Sequence, residues 1–336
     1  MSLFVKSAFA GASIQDDGRP GMQRYGVTLG GAVDKLALAQ GRLLLNDHGN
    51  TAVIEFSAVG GQFIAQKPSF FAFTGAEAPL RLNGKLVQNG QVFEAQVGDE
   101  IEIGSISKGF YSYLHVAGGF LSTSHLGSRS TNIQVGLGTA LEIGNILPYK
   151  STLHRDLKYL KLNDYSQCKK IRVVSGPQTN LFSEKVIQRF FNTEFKVSSM
   201  RNRMGVKLNF DGENFYTNAG LSVLSDAIEL GDIQIDGEGT PTVLLNDRQP
   251  TGGYPRISTV ISADLHKFAQ KSLNSKFNFV LITLKEAVKA LEELTDQLFN
   301  LRNQVDSLQR DPHNIPNLLN YGLVGGAIRG DEFDES

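Results

Sequence analysis

The chain has 336 residues, with 33 Lys+Arg against 34 Asp+Glu, a formal net charge of -1, and 41% hydrophobic and 20% charged residues. That composition supplies a substantial core, in two domains or one large one, and excludes a chain disordered throughout. Near-neutrality removes any general electrostatic reason to bind nucleic acid or an anionic membrane, and the single cysteine, Cys168, excludes a disulfide framework or a thiolate zinc site within one chain.

The 35 glycines exceed the usual ~7% and point to many turns and much strand. The N-terminus lacks a basic start followed by a long apolar core, so no signal peptide is expected. No run reaches the ~18 apolar residues of a membrane helix. A soluble cytoplasmic protein is the expectation.

In chain order, the first helix is predicted from Lys35 to about Leu45, capped by Asp34 and stopped at Asn46. Leu80–Leu82 and Lys85–Val87 flank Asn83-Gly84, a hairpin signal because both turn residues tolerate positive φ. Asn89-Gly90 repeats the signal. After Val97-Gly98-Asp99, Ile101 and Ile103 alternate as in a half-buried strand. Phe110 to Ala117 is apolar on both faces and reads as a fully buried strand.

Residues 150–170 are polar and lysine-rich and read as a linker. A strand at Ile171–Val174, a helix from about Thr179 to Phe191, and strands near 204–210, 242–245 and 277–284 then form a second β-rich unit. Ala287, Leu291, Leu294, Leu298, Leu301, Val305 and Leu308 recur at spacings of four and three, a heptad seam ended by Asp311-Pro312. The seam fits a helix on the protein's own surface or a coiled-coil contact with another chain. The acidic tail from Gly330 to Ser336 reads as loose. The organisation is thus 1–165, an N-terminal β-rich domain; 166–284, a β-barrel domain; and 285–336, a C-terminal helix and acidic tail.

Common catalytic signatures are absent: no phosphate loop, no complete G-x-G-x-x-G, no G-x-S-x-G elbow, and no biotin-attachment Met-Lys-Met. Histidines 48, 115, 125, 154, 266 and 313 show no metal spacing and read as surface or packing residues. Three glycine-flanked polar clusters stand out. In the first, Gln15-Asp16-Asp17-Gly18-Arg19 is followed by Gly30-Gly31-Ala32-Val33-Asp34. Glycines there let the backbone approach a ligand that Asp and Arg fix, although Asp34 alone is explained as a helix cap. In the second, Ser198 to Lys207, an extended chain puts Arg201, Arg203 and Lys207 on one face, suited to phosphate or carboxylate. In the third, Asn246-Asp247-Arg248-Gln249-Pro250-Thr251-Gly252-Gly253-Tyr254 follows a strand, and its Gly-Gly pair suggests an anion nest.

These clusters, with Val116-Ala117-Gly118-Gly119 and Leu126-Gly127-Ser128-Arg129-Ser130-Thr131, resemble one family over roughly residues 3–285. It comprises allophanate hydrolase subunit 2, KipA and the C subunit of the bacterial 5-oxoprolinase (PxpC), and is similar to part of the urea amidolyase carboxyltransferase region. Departures from its usual pattern are Val33, Arg201 in place of serine, Ser225-Asp226-Ala227, Leu44-Leu45-Asn46 and Pro250.

The resemblance implies a mainly β fold with two β-barrel-like units resembling cyclophilin, a few short helices and the C-terminal heptad helix. It implies an ATP-dependent lactam hydrolase subunit that opens 5-oxo-L-proline to L-glutamate with KipI/PxpB-like and LamB/YcsF (PxpA)-like partners. ATP is then bound here or by a partner. The alternatives are a biotin-dependent carboxyltransferase subunit, with biotin on another polypeptide, and a KipA-type regulator of a kinase inhibitor. Expected catalytic residues are Asp16, Arg203, Asp247 and Arg248. Expected substrate-binding residues are Arg19, Asp34, Arg129, Asn202, Lys207, Gln249, Thr251, Gly252, Gly253 and Tyr254, around a small-molecule amide, with no metal.

Overall fold

A computed structural model describes residues 1–9, 11–150, 155–217 and 223–308. The first half forms two antiparallel sheets. One has six strands, built on Ser2–Ala8, Gly61–Ala65 and Glu100–Ile103; the other has five, built on Val53–Ser57, Ser69–Glu77 and Lys108–Val116. Alternating apolar residues from both sheets, including Leu3, Val5, Phe56, Phe63, Phe71, Phe73 and Ile101, fill the space between them. The second half closes seven strands into a barrel around a phenylalanine-rich core that includes Phe190, Phe195, Phe215, Phe277 and Phe279. The mainly β reading therefore holds, with a two-sheet first unit and a closed barrel in the second.

Helix α1 (Lys35–Leu44) begins where expected: the Asp34 carboxylate accepts the Ala37 N–H at 2.9 Å. Asn46 follows its end at φ 50°. The Asn83-Gly84 turn has φ of 49° and 77°, as a tight hairpin turn requires. Asn89-Gly90 is different. It carries the chain from the six-stranded to the five-stranded sheet, so it closes no hairpin. Lys108–Val116 is the buried central strand, paired on both sides.

The segment read as a linker is partly ordered structure. Lys158–Leu160 pairs with Val305–Ser307, and Leu160 is buried. That strand owes its order to partners about 70 and almost 150 positions away, Gly90-Gln91 and Val305–Ser307, which local polarity does not reveal. The expected helix at 179–191 splits into a 3-10 turn, Thr179–Leu181, and α2 (Glu184–Asn192) capped by Ser183. A short α3 (Leu265–Ala269) precedes the last barrel strand.

Helix α4 (Leu284–Asn300) opens with a Thr283/Glu286 capping box. Ala287, Ala290 and Leu294 pack on Val174, Ile261, Ala263 and Ile282 of the barrel unit. Leu298 and Leu301 pack with Leu36, Leu44 and Phe70 of the first unit. Apart from Leu291, which is exposed, the seam residues of α4 thus point inward and bridge the two units. The seam leaves helical geometry after Asn300, so Val305 is a strand residue. Asp311-Pro312 and the acidic tail lie outside the described residues. No helix among the described residues is long and apolar enough to cross a membrane.

Gly41 and His115 show how tightly α1 sits on the central strand. A Cβ at Gly41 would lie 2.2 Å from the imidazole. The Thr74 hydroxyl donates to Ala37 O at 2.8 Å, so the His115 Nε2–H donates to that hydroxyl at 2.9 Å. Alanine normally stabilises a helix relative to glycine. Gly41→Ala is expected to reverse that sign and cost about 1–3 kcal/mol in urea unfolding, because the core is overpacked. Burial also pushes the His115 pKa down to about 3. The unfolded chain, with a histidine pKa of about 6.5, binds the proton more readily, so this group removes stability as pH falls from about 6.5 towards 3. Imidazole nitrogen shifts are expected to show His115 still neutral at about pH 5; a protonated ring there contradicts the packing.

Candidate functional site

The first polar cluster folds onto the Leu126–Thr131 motif. Asp16 accepts from the Ser128 hydroxyl at 2.6 Å, Arg129 N at 2.7 Å, Gly18 N at 2.8 Å and Asn50 Nδ2 at 3.2 Å. The Gln15 amide oxygen accepts from Ser130 at 2.7 Å. Arg19 is 1% exposed and donates to Ser130 O at 2.5 Å. Its Nη1 is buried with no hydrogen-bond partner. A Cβ on Gly30 would sit 3.1 Å from that nitrogen and 3.8 Å from Asp247 Oδ1. Gly30 and Gly31 both have positive φ (60° and 80°), and a Cβ on Gly31 would strike the Asp16–Gly18 backbone at 2.8 Å. Only glycine permits this approach.

The second cluster is a hairpin, not one extended run. Phe195–Arg201 and Gly205–Phe210 are its strands, and the Asn202 side chain accepts Met204 N at 2.8 Å in the turn. Its three cations therefore diverge. Arg201 lies 3.5 Å over the Phe110 ring and donates to Lys271 O at 2.5 Å and Ala269 O at 2.9 Å. Lys207 pairs with Asp236 at 3.1 Å, on the barrel's side. Arg203 reaches across to the first unit.

Arg203 is the meeting point. Its Nε and Nη2 hold Asp247 at 2.7 and 3.0 Å, Nη2 also donates to Gly31 O at 2.8 Å, and Nη1 pairs with Glu55. Glu55 is 1% exposed and takes further hydrogen bonds from Tyr113 at 2.9 Å and Val33 N at 2.8 Å. Burial opposes the Arg203 charge, but the Glu55 and Asp247 carboxylates outweigh it and hold its pKa above the ordinary arginine value. The neighbouring Asn246 amide donates to Gly30 O at 2.8 Å and Ala32 O at 3.1 Å.

A cleft of about 290 Å³ opens over this junction. Ser13, Ser57, Phe110, Tyr111, Gln134, Arg201, Arg203 and Asp247 are among its walls. Arg201 forms no ion pair with any described residue, and burial lowers its pKa to about 10, so it remains cationic at neutral pH. Its hydrogen bonds go to carbonyls, leaving a fixed positive charge in the wall.

The third cluster divides. Asp247 faces the cleft, whereas Arg248 turns away and donates to Ile228 O at 3.1 Å and Gln23 Oε1 at 3.3 Å. Burial lowers the Arg248 pKa. Thus Arg19 and Arg203 meet around Asp247, and Arg248 does not join them. Gln249, Thr251 and Tyr254 are exposed and lie outside the cleft lining. Gly252 and Gly253 form no anion nest: neither has positive φ, and Thr251–Gly252 pairs as a short strand with Asp226–Ala227. Gly252 packs against Ile228, whose Cδ1 would have to shift to admit a Cβ there. Asp34 caps α1 and takes a hydrogen bond from Gln270 at 2.8 Å. The Arg129 guanidinium donates to Ser122 O. Among the described residues, no three His, Cys, Asp or Glu side chains are grouped to hold a metal ion.

Sequence reasoning passed over Glu55 and Tyr111 as site residues; Arg201 was singled out with Arg203 and Lys207 as an anion-binding face but is held apart from both. The signal for Glu55 was a lone acid in the apolar run Val53-Ile54-Glu55-Phe56.

Two β units clamped by a buried guanidinium–carboxylate junction, with a cleft above it, define the class. The carboxyltransferase domain, subdomain A and B, matches residues 25–281, and the chain belongs to that family. It is 33% identical to the 5-oxoprolinase C subunit of Haemophilus influenzae, covering 90% of this chain and 98% of that protein. It is 32% identical to the Escherichia coli 5-oxoprolinase C subunit, covering 84% and 91%. The fold matches the crystal structure of Kluyveromyces lactis urea carboxylase with a TM-score of 0.80 at 23% identity, over 93% of this chain and 31% of that one. It matches TTHA0988 with a TM-score of 0.76 at 24% identity, over 83% and 55%. The chain therefore spans about half or less of these two solved chains. The resemblance drawn from the sequence motifs stands.

Arg203→Met is expected to cost about 3–5 kcal/mol in urea unfolding, since it strands two buried carboxylates. A loss below about 1 kcal/mol contradicts the junction's role.

Proposed function

We propose that this chain is the C subunit of an ATP-dependent 5-oxoprolinase, acting with KipI/PxpB-like and LamB/YcsF (PxpA)-like polypeptides to open 5-oxo-L-proline to L-glutamate. The observation that carries this reading is the 32–33% identity to two 5-oxoprolinase C subunits over 91–98% of their lengths. The cleft chemistry agrees with it. A lactam carrying a carboxylate needs an apolar wall and positive potential, and Phe110 and Arg201 supply them. Arg203 and Asp247 hold one another, so their part is to position the cleft walls.

The lactam is stable, and activation by phosphorylation of its amide oxygen would precede attack by water. In this reading the nucleotide is handled by a partner. The chain lacks a phosphate loop, and its Gly252-Gly253 pair forms no cradle. No chemical step is assigned to ATP on this polypeptide.

A second reading, carboxyl transfer from biotin borne by another polypeptide, is favoured by the family match itself. The uncompensated Arg201 charge favours the anionic lactam over neutral urea.

The test is ATP-dependent glutamate release by the purified complex with and without this chain. Loss of turnover without the chain is expected, and equal turnover contradicts the proposal. Avidin is expected to leave turnover unchanged. In the same complex, Arg201→Gln is expected to raise the KM for 5-oxoproline roughly tenfold, about 1.4 kcal/mol, with a smaller effect on kcat. An unchanged KM removes Arg201 from substrate recognition.

A further inference from the structure

Helix α4 carries a second apolar stripe that none of the described residues covers. The inward face uses Ala287, Ala290, Leu294 and Leu298. On the outward side stand Leu284, Val288, Leu291 and Phe299, exposed by 73%, 58%, 44% and 76%. Their spacing of four, three and eight places them within about 80° of one another at 100° per residue, along a helix about 25 Å long. Isolated exposed apolar residues are ordinary, but a stripe running the length of a capped helix needs a partner.

The charges beside the stripe identify the partner. Lys285, Lys289, Glu292 and Asp296 are all exposed and share the flank bordering it, within about 60° of one another. The two cations lie in the N-terminal half and the two anions in the C-terminal half. Lys285 and Asp296 are equidistant from the point between Ala290 and Leu291, and so are Lys289 and Glu292. A helix with that arrangement is complementary to itself when inverted. About a two-fold axis at that point, Lys285 of one copy faces Asp296 of the other, and Lys289 faces Glu292. Each contact occurs twice, as an isologous interface requires. A parallel copy related by a two-fold axis would instead set the two charged flanks on opposite sides of the seam, where they do not meet. Within one copy, the Lys289–Glu293 pair is long, at 3.9 Å, and open to solvent, so it competes weakly.

We propose that the outward face of α4 is the docking surface for a second copy of this chain, packed antiparallel, with Leu284, Val288, Leu291 and Phe299 at its centre. This surface is separate from the Arg203 cleft, and the proposal does not depend on the reaction catalysed. It shares only Leu291 with the heptad seam, whose residues Ala287, Leu294, Leu298, Leu301 and Val305 pack inside the molecule.

Sedimentation equilibrium of the purified full-length chain under reducing conditions tests it. The wild type is expected to associate from a mass of 36.7 kDa to twice that at about 100 µM or below. Val288→Glu with Phe299→Glu is expected to leave a monomer with an unchanged melting temperature, since neither side chain enters the core. Lys285→Glu with Lys289→Glu, and separately Glu292→Lys with Asp296→Lys, are each expected to weaken association tenfold or more. An equimolar mixture of those two variants is expected to restore the dimer. A wild type that stays monomeric at that concentration overturns the proposal. So does a dimer that is indifferent to these substitutions, or a stripe variant that loses only binding to a different polypeptide.

Discussion

One guanidinium holds the two halves of this molecule in register. Arg203 sits in the hairpin turn of the barrel, yet two of its partners, Glu55 and Gly31 O, belong to the first unit. The third, Asp247, comes from the barrel's other approaching loop. A buried arginine is tolerable only when carboxylates compensate it and its donors are spent. Arg203 meets both conditions, and the requirement fixes where the surrounding loops lie. The Gly30-Gly31 backbone comes close enough for its carbonyls to meet Arg203 and Asn246, and its positive φ and its approach to Arg19 and the Asp16–Gly18 backbone require glycine at both positions. The cleft above inherits its shape from this junction, so its walls are set by polar geometry as much as by apolar packing.

Two further elements reinforce the arrangement. Ala32, Val33, Leu38 and Val53 of the first unit pack into the same apolar cluster as the barrel core. Helix α4 crosses from one unit to the other and continues into the strand that pairs with Lys158–Leu160. The dry contacts supply bulk stabilisation, whereas the Arg203 junction supplies orientation. A cleft bordered by loops from two units needs both if its walls are to hold their positions.

Local signals were read correctly from the sequence where the cause was local. The Asp34 cap, the Asn83-Gly84 turn and the doubly buried strand at 110–117 each depend on residues within a few positions. What was hidden depends on distant partners. Lys158–Leu160 is a strand because Val305–Ser307 pairs with it on one side and Gly90-Gln91 bridges it on the other. Arg201, Arg203 and Lys207 look alike on an extended chain, but a turn at Asn202 sends them to an aromatic ring, a carboxylate pair and a barrel edge. The Gly252-Gly253 pair resembles an anion cradle in composition, yet residue 252 lies in a short strand against the Ile228 side chain. Gathering Arg19, Arg203 and Asp247 was legible from their glycine-rich settings. Excluding Arg248 was not, because adjacent residues in a loop can face opposite ways.

The central claim is that Arg203 couples a carboxylate of one unit to a carboxylate of the other. A double-mutant cycle on Glu55→Gln and Asp247→Asn, read by urea unfolding, measures that coupling most directly. The account predicts a non-additive pair, with a coupling energy of about 1 kcal/mol or more. Effects that add to within about 0.3–0.5 kcal/mol would contradict it.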